Sequence, residues 1–311
     1  MTHPDDKKIA AAISKATGKK ADITAQRVIS GGSINHARQI TLADGRHYFV
    51  KTHPMSHRYP GMFKTELLGL QRLHEAGTVA STAAAANADT SASTSTIRVP
   101  QPLMATESFI IMEYIEQGSP AADWKVRIGE ALALLHQNTQ QPNFGFDRDN
   151  YLGTTPQINT WTDNWPEFWR ERRLNPQLQL YAKQAAANDP LLSLGETLAA
   201  KLEDILADCN EPAVLLHGDL WSGNAFADTD GNPVIVDPAC YYGQREAEIG
   251  MMRMFGGFGP TCEQAYNKVW PLQAGAERRI TLYRLHHELN HLNLFGSTYY
   301  ESCLASMRAL L

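Results

Sequence analysis

The sequence predicts an α+β protein of two lobes, a small strand-rich lobe over residues 1–116 and a larger, mainly helical lobe over residues 117–311. Three observations predict it. Short apolar runs bounded by turn signals fill the first third of the chain, Gln117-Gly118-Ser119-Pro120 breaks that pattern with turn-forming residues, and helical spacing dominates from Trp124 onward. A chain of 311 residues is long enough to bury two substantial cores.

The elements follow in order. Ile9 to Ala16 has the apolar spacing of a helix. Val28 to Asn35 reads as strand, Gly-rich turn and strand, with Ser30-Gly31-Gly32-Ser33 at the turn. Residues 38–42 and 47–51 form a hairpin across Ala43-Asp44-Gly45, because Asp-Gly favours the tight turns that match strand twist. Phe63 to His74 places Phe63, Leu67, Leu70 and Leu73 on one helical stripe. Residues 78–96 are dominated by Ala, Ser and Thr without a period. They are expected to form a mobile insertion, with an Ala-rich helix in the middle as the alternative. Strands are expected over Ile97 to Pro102 and over Ser108 to Ile115. Beyond the break come helices over Trp124–Asn138, Trp165–Arg173, Leu191–Asp208, Cys262–Trp270 and Ala276–Phe295, interrupted by one strand-loop-strand block that carries Asp219 and Asp237.

Composition narrows the classes of function. A hydrophobic fraction of 43%, a charged fraction of 20% and a net charge of -5 describe an ordinary globular protein and argue against a nucleic-acid binder held by a basic patch. No run of eighteen apolar residues is present, and the first eight residues lack the apolar core of a signal peptide, so no membrane partner is expected and the cytoplasm is the simplest compartment. Cys209, Cys240, Cys262 and Cys303 have no metal-ligand spacing and read as reduced thiols, with Cys240 a small buried side chain near the site.

The strand-loop-strand block carries the chemistry. In His217-Gly218-Asp219-Leu220-Trp221-Ser222-Gly223-Asn224, followed by Ile235-Val236-Asp237, Asp219 and Asn224 are five apart and Asp237 lies eighteen beyond Asp219. Phosphoryl transfer to a hydroxyl needs this set: an Asp to orient the attacking hydroxyl, and an Asn and a second Asp to hold Mg²⁺. Lys51 ends an apolar strand and Glu66 stands on the next helix, as a Lys aimed at nucleotide phosphates by a Glu would. Gly31, Gly32 and Ser33 could cover those phosphates through backbone N–H groups. Glu113, Tyr114 and Ile115 end the strand at the hinge, where backbone groups would meet adenine. His217 is expected to order the catalytic loop by hydrogen bonding, and Trp221 to wall a sugar pocket or brace the loop. Small strand-rich lobe, hinge and helical lobe, with the catalytic block in the second lobe, is the layout of a bilobal protein-kinase-like fold.

The chain resembles the fructosamine kinase and ketosamine-3-kinase family, which has the aminoglycoside-phosphotransferase variant of the kinase fold. The resemblance rests on the segments at 30–35, 49–51 and 63–73 and on Asn143-Phe144-Gly145-Phe146. It continues through residues 159–165, the 217–224 motif, Asp237-Pro238-Ala239, Met254-Phe255-Gly256-Gly257-Phe258, and residues 290–296. It implies ATP with Mg²⁺, phosphorylation of the 3-hydroxyl of a ketosamine (a ribulosamine, erythrulosamine or fructosamine adduct), and breakdown of the product with release of the amine. The amine would belong to a small metabolite or to a glycated protein lysine. Ser33 stands where some members carry Cys, so no thiol switch is expected there.

Two other classes compete. Asp163, Glu167, Glu246 and Glu248 would suit a cationic aminoglycoside, choline or homoserine-type substrate, although most of them read as a solvated charged face. His287-Glu288-Leu289-Asn290-His291 fits the H-E-x-x-H pattern of zinc hydrolases, but Leu294 stands where the longer motif needs Gly, and only Glu301 follows as a third ligand. A silent nucleotide-binding protein would not need the complete set of Lys51, Glu66, Asp219, Asn224 and Asp237.

Overall fold

The computed structural model describes residues 5–29, 35–86 and 96–311. In the first lobe, helix α1 (Asp6–Thr17) precedes strands β1 (Ile23–Ile29), β2 (His36–Leu42) and β3 (His47–Thr52). Helix α2 (Met62–Ala86), β4 (Pro102–Ala105) and β5 (Phe109–Glu113) follow. The strands form one antiparallel sheet in the order β1-β2-β3-β5-β4. Alternation along the central strands divides its two faces. Val50 and Ile111 join Ile9 and Ile13 of α1 in a small separate core, whereas Ile110 and Met112 join Phe63, Leu70 and Leu73 of α2 in the main core. Lys51, between Val50 and Thr52, therefore faces the α2 side with its ammonium beside Glu66.

The second lobe begins with α3 (Trp124–Asn138) and the short hairpin β6 (Asn150–Leu152) and β7 (Thr155–Gln157). Helices α4 (Trp165–Trp169), α5 (Asn175–Ala182), α6 (Pro190–Ala200) and α7 (Leu202–Leu206) follow, with a π-helical turn at Arg170–Leu174. The strands of the catalytic block are β8 (Val214–Leu216), β9 (Ala225–Ala227), β10 (Pro233–Ile235) and β11 (Tyr241–Gly243), and α8 (Glu246–Met254), α9 (Gly259–Val269), α10 (Ala276–Phe295) and α11 (Tyr300–Leu310) complete the lobe. The short strands pair as β9-β10 and β8-β11, which holds the catalytic loop between two anchored ends. The four cysteines are free and buried, Cys240 among them.

Three expectations are corrected. Helix α2 runs on to Ala86 and takes in the start of the segment expected to be a mobile insertion. Ala is the strongest helix former, and extending an existing helix needs no new nucleus. Residues 87–95 of that segment lie outside the described residues, as do Gly31, Gly32 and Ser33. The strand expected over Ile97 to Pro102 is displaced: β4 starts at Pro102, and the preceding stretch makes only an isolated bridge, Arg98 to Val234. Glu246 and Glu248 are buried rather than on a solvated face, because each has a fixed partner in the second lobe.

Candidate active site

A cleft of about 1080 Å³ is lined by Lys51, Glu66, Tyr114 and Ile115 from the first lobe and by Asp219, Trp221, Asn224 and Asp237 from the second. The residues that the sequence singled out from five different segments thus line one space. Lys51 Nζ lies 2.6 Å from Glu66 Oε1 and 3.0 Å from Asp237 Oδ1, so one ammonium joins the sheet, α2 and the loop after β10. Burial alone would lower its pKa, but the carboxylates of Asp237 and Glu66 outweigh burial and raise it, so Lys51 stays charged. The Glu66 carboxyl is pushed up to about 7 by burial, against the pull of Lys51.

The catalytic loop is held by its backbone. Gly218 has φ +79, and a Cβ there would stand 2.3 Å from the carbonyl oxygen of Ala239. The loop therefore lies directly on the segment that follows Asp237, and the Ala239 N–H donates to the His217 carbonyl at 2.8 Å. The Glu248 carboxylate accepts from the N–H groups of His217 (2.6 Å) and Gly218 (3.1 Å). His217 Nε2 lies 2.9 Å from the Val236 carbonyl, and its Nδ1 accepts the Asp219 N–H at 3.3 Å. A neutral ring with its proton on Nε2 satisfies both contacts, and burial lowers the His217 pKa accordingly. His217 thus spans the two acidic segments as a hydrogen-bonded strut.

Asp219 sits at the centre. Burial, then the negative charges of Asp237 and Glu248, push its carboxyl well above the ordinary Asp range. Asn224 donates from Nδ2 to the Asp219 carbonyl (2.9 Å) and to Asp219 Oδ2 (3.3 Å), which orients the carboxylate. Asp237 has φ +59, in the left-handed region that side chains rarely adopt; Asn188 is the other such non-Gly residue among those described. A buried Asp219 carboxyl pressed by the neighbouring Asp237 charge and flanked by an Asn amide is a donor set that a divalent cation would relieve. Among the described residues no group of three His, Cys, Asp or Glu side chains could hold a metal ion, so Asn224 and Asp237 would need phosphate oxygens to complete a shell.

The remaining expected site residues divide. Trp221 is half-buried and lines the cleft, with its ring above Gly223, where a Cβ would come within 2.2 Å of it. Glu113 lines the cleft too, but its N–H donates to the Gln101 carbonyl, and its carboxylate accepts from Arg98 Nη2 (2.6 Å) and the Gln101 N–H (3.1 Å). Its amide is thereby committed to the sheet, and the hinge positions beyond it are Tyr114 and Ile115. The H-E-x-x-H residues form no metal centre. The Glu288 carboxylate accepts from Arg284 Nε (3.0 Å) and Ser306 Oγ (2.7 Å), and His291 Nδ1 meets the His287 carbonyl at 2.9 Å.

Sequence reading missed a layer of supporting residues. Asn150 Nδ2 donates to the Cys240 carbonyl (2.8 Å) and Gln157 Nε2 to the Ala239 carbonyl (3.1 Å), so the β6-β7 hairpin braces the segment after Asp237. Asn159 bonds to Asn150 (2.8 Å) and accepts from Arg173 Nη2 (2.8 Å), a guanidinium 4.1 Å from the centre of the Tyr241 ring. Glu248 belongs to the same supporting layer; the sequence offered it for a cationic substrate and set Asn159 in a family segment, but no short motif marks the bracing role of any of these residues.

The fructosamine kinase family model matches residues 5–311. A protein-ribulosamine 3-kinase, chloroplastic, of Arabidopsis thaliana is 41% identical over 294 residues, covering 93% of this chain and 83% of the relative. The crystal structure of a candidate fructosamine-3-kinase from Thermobifida fusca superposes with a TM-score of 0.81 at 31% identity, covering 97% of this chain and 98% of that one. A ternary complex of aminoglycoside phosphotransferase APH(4)-Ia with ADP and hygromycin B is similar in fold, with a TM-score of 0.57 at 15% identity over 97% and 96% of the two chains. The chain belongs to the fructosamine kinase family and is an ATP-dependent phosphotransferase.

Proposed function

We propose that this protein phosphorylates the 3-hydroxyl of ketosamines, with ribulosamine, erythrulosamine and fructosamine adducts as the substrate class and release of the amine as the outcome. The observation that carries the reading is the convergence of Asp219, Asn224, Asp237 and the Lys51–Glu66 pair on one cleft that Trp221 also lines. The ribulosamine 3-kinase relative supports the choice of acceptor. We place the lobe boundary at residues 117–120, with the first lobe holding the nucleotide.

In this reading Lys51, fixed by Glu66, neutralises nucleotide phosphates, and Tyr114 and Ile115 meet the base. Asn224 and Asp237 would hold Mg²⁺, which supplies charge neutralisation on the phosphate oxygens. Asp219, oriented by Asn224, takes the proton of the sugar hydroxyl as phosphoryl transfer proceeds. His217 and Glu248 act through the backbone, holding the loop so that Asp219 does not move. Either a small ketosamine or a glycated protein lysine would serve as acceptor, acting in the cytoplasm.

The test is ATP consumption with Mg²⁺ across ribulose-, erythrulose- and fructose-lysine, with kanamycin and choline as controls. Turnover of a ketosamine, with phosphate at the 3-hydroxyl, is expected. Turnover of kanamycin or choline alone would move the enzyme to another class of small-molecule kinase.

A further inference from the structure

Outward from Trp221 the cleft continues as a row of rings that none of the roles above uses. Trp221 meets Phe255 edge to face with centroids 5.5 Å apart, and Phe255 meets His291 at 5.1 Å. His291 in turn meets Phe295 and Tyr299, each at 5.2 Å. All five side chains line the cleft. Phe255 and Phe295 are 40% and 49% exposed, although they adjoin a core able to bury large apolar groups. The row is fixed to the catalytic loop: a Cβ on Gly257 would stand 2.3 Å from Ser222 Cβ, so the turn after Phe255 lies directly against the loop that carries Trp221.

The charge pattern of this end is one-sided. None of the cleft-lining residues between 255 and 299 is Lys, Arg, Asp or Glu, and burial lowers the pKa of His291, which disfavours its charged form. Elsewhere the same cleft carries the carboxylates of Glu66, Glu113, Glu116, Asp219 and Asp237 against the two cations Arg27 and Lys51. Such a surface attracts an organic cation with an apolar extension, because ring faces are electron-rich and apolar area gains by leaving water. It offers nothing to hold an anionic group.

We propose that Trp221, Phe255, His291, Phe295 and Tyr299 form the subsite for the amine-bearing part of the substrate, and that they select ketosamines whose nitrogen carries an aliphatic or aromatic extension. This rests on the ketosamine reading above. In a ketosamine the nitrogen is on C1, three bonds from the C3 that carries the reacting hydroxyl. With that hydroxyl at Asp219, the secondary ammonium falls beside Trp221, and its substituent runs outward along Phe255 and Phe295.

The experiment compares kcat/KM on the ribulosamines of methylamine, butylamine and phenethylamine for the wild type, Phe255→Ala, Phe295→Ala and Phe295→Tyr, with thermal unfolding to verify folding. The wild type is expected to prefer butyl and phenethyl over methyl adducts. The phenethyl-to-methyl ratio is expected to fall roughly tenfold in each Ala variant, through KM rather than kcat, and to persist in Phe295→Tyr, which keeps the ring. An unchanged ratio in both Ala variants, or no preference in the wild type, would overturn the subsite while leaving the ketosamine kinase intact. Absence of turnover on all three ribulosamines would overturn the ketosamine reading and the subsite with it.

Discussion

In the proposed mechanism Asp219 accepts a proton in a site that raises its affinity for protons. Burial, Asp237 and Glu248 all act in that direction, so its carboxyl titrates well above an ordinary Asp. The protonated form cannot act as base, so kcat/KM should fall as pH falls, with an acid limb above the usual carboxylate range; a limb near pH 4 in the pH-rate profile would contradict this. The same shift has a stability consequence. The unfolded chain loses this proton near pH 4 and the folded chain only at higher pH, so the folded state is penalised as pH rises through that window. Asp219→Asn should therefore melt higher than the wild type at pH 7.5, with the difference shrinking towards pH 4; a lower melting temperature at pH 7.5 would count against the account. Asp219, Asn224 and Asp237 were legible as candidates in the sequence because phosphoryl-transfer chemistry fixes their types and their spacing within one strand-loop-strand block. The support given by Glu248, Asn150 and Gln157 was not, since each reaches that block from another element and no local spacing marks its contact.

At the scale of elements, α8 joins the loop to the core of the second lobe. Glu248 accepts from the loop backbone, while Glu246, two positions earlier, pairs with Arg279 of α10 through contacts of 2.6 and 2.7 Å, with side chains 0% and 1% exposed. Removing one partner of such a pair leaves a buried charge uncompensated. Glu246→Ala should cost about 3–5 kcal/mol in urea unfolding, and Glu246→Leu with Arg279→Met should recover most of it. A loss below about 1 kcal/mol in the single variant would show that water reaches Arg279. The limits of α3 and α10 agree with those read from the sequence, since both are long and periodic, with Gly275 and Gly296 bounding α10. The continuation of α2 through an Ala, Ser and Thr stretch was not legible, because that composition has no hydrophobic period and the helix is continued from the residues before it.

Across the whole molecule, the cleft depends on how the lobes are tied. Arg98 joins Glu113 at the end of β5 (2.6 Å) to Asp228 after β9 (3.1 Å), and Gly118 lies so close to the Asp228 carbonyl that a Cβ would meet it at 2.4 Å. The hinge is thereby pinned to the β9-β10 hairpin, which leads back to Asp237. The order of strand-rich segment, break and helical segment was readable from composition and period. The bridge was not, because it depends on an exposed Arg whose partners come from both lobes.

The role proposed for Asp219 is to activate a sugar hydroxyl in a site whose nucleotide end is built from other residues. The most direct measurement is turnover of a ribulosamine by Asp219→Asn beside ATP binding by the same variant. A fall in kcat of roughly 10³-fold, with ATP bound within a few-fold of the wild-type affinity, is the predicted result. A kcat within tenfold of the wild type would contradict it.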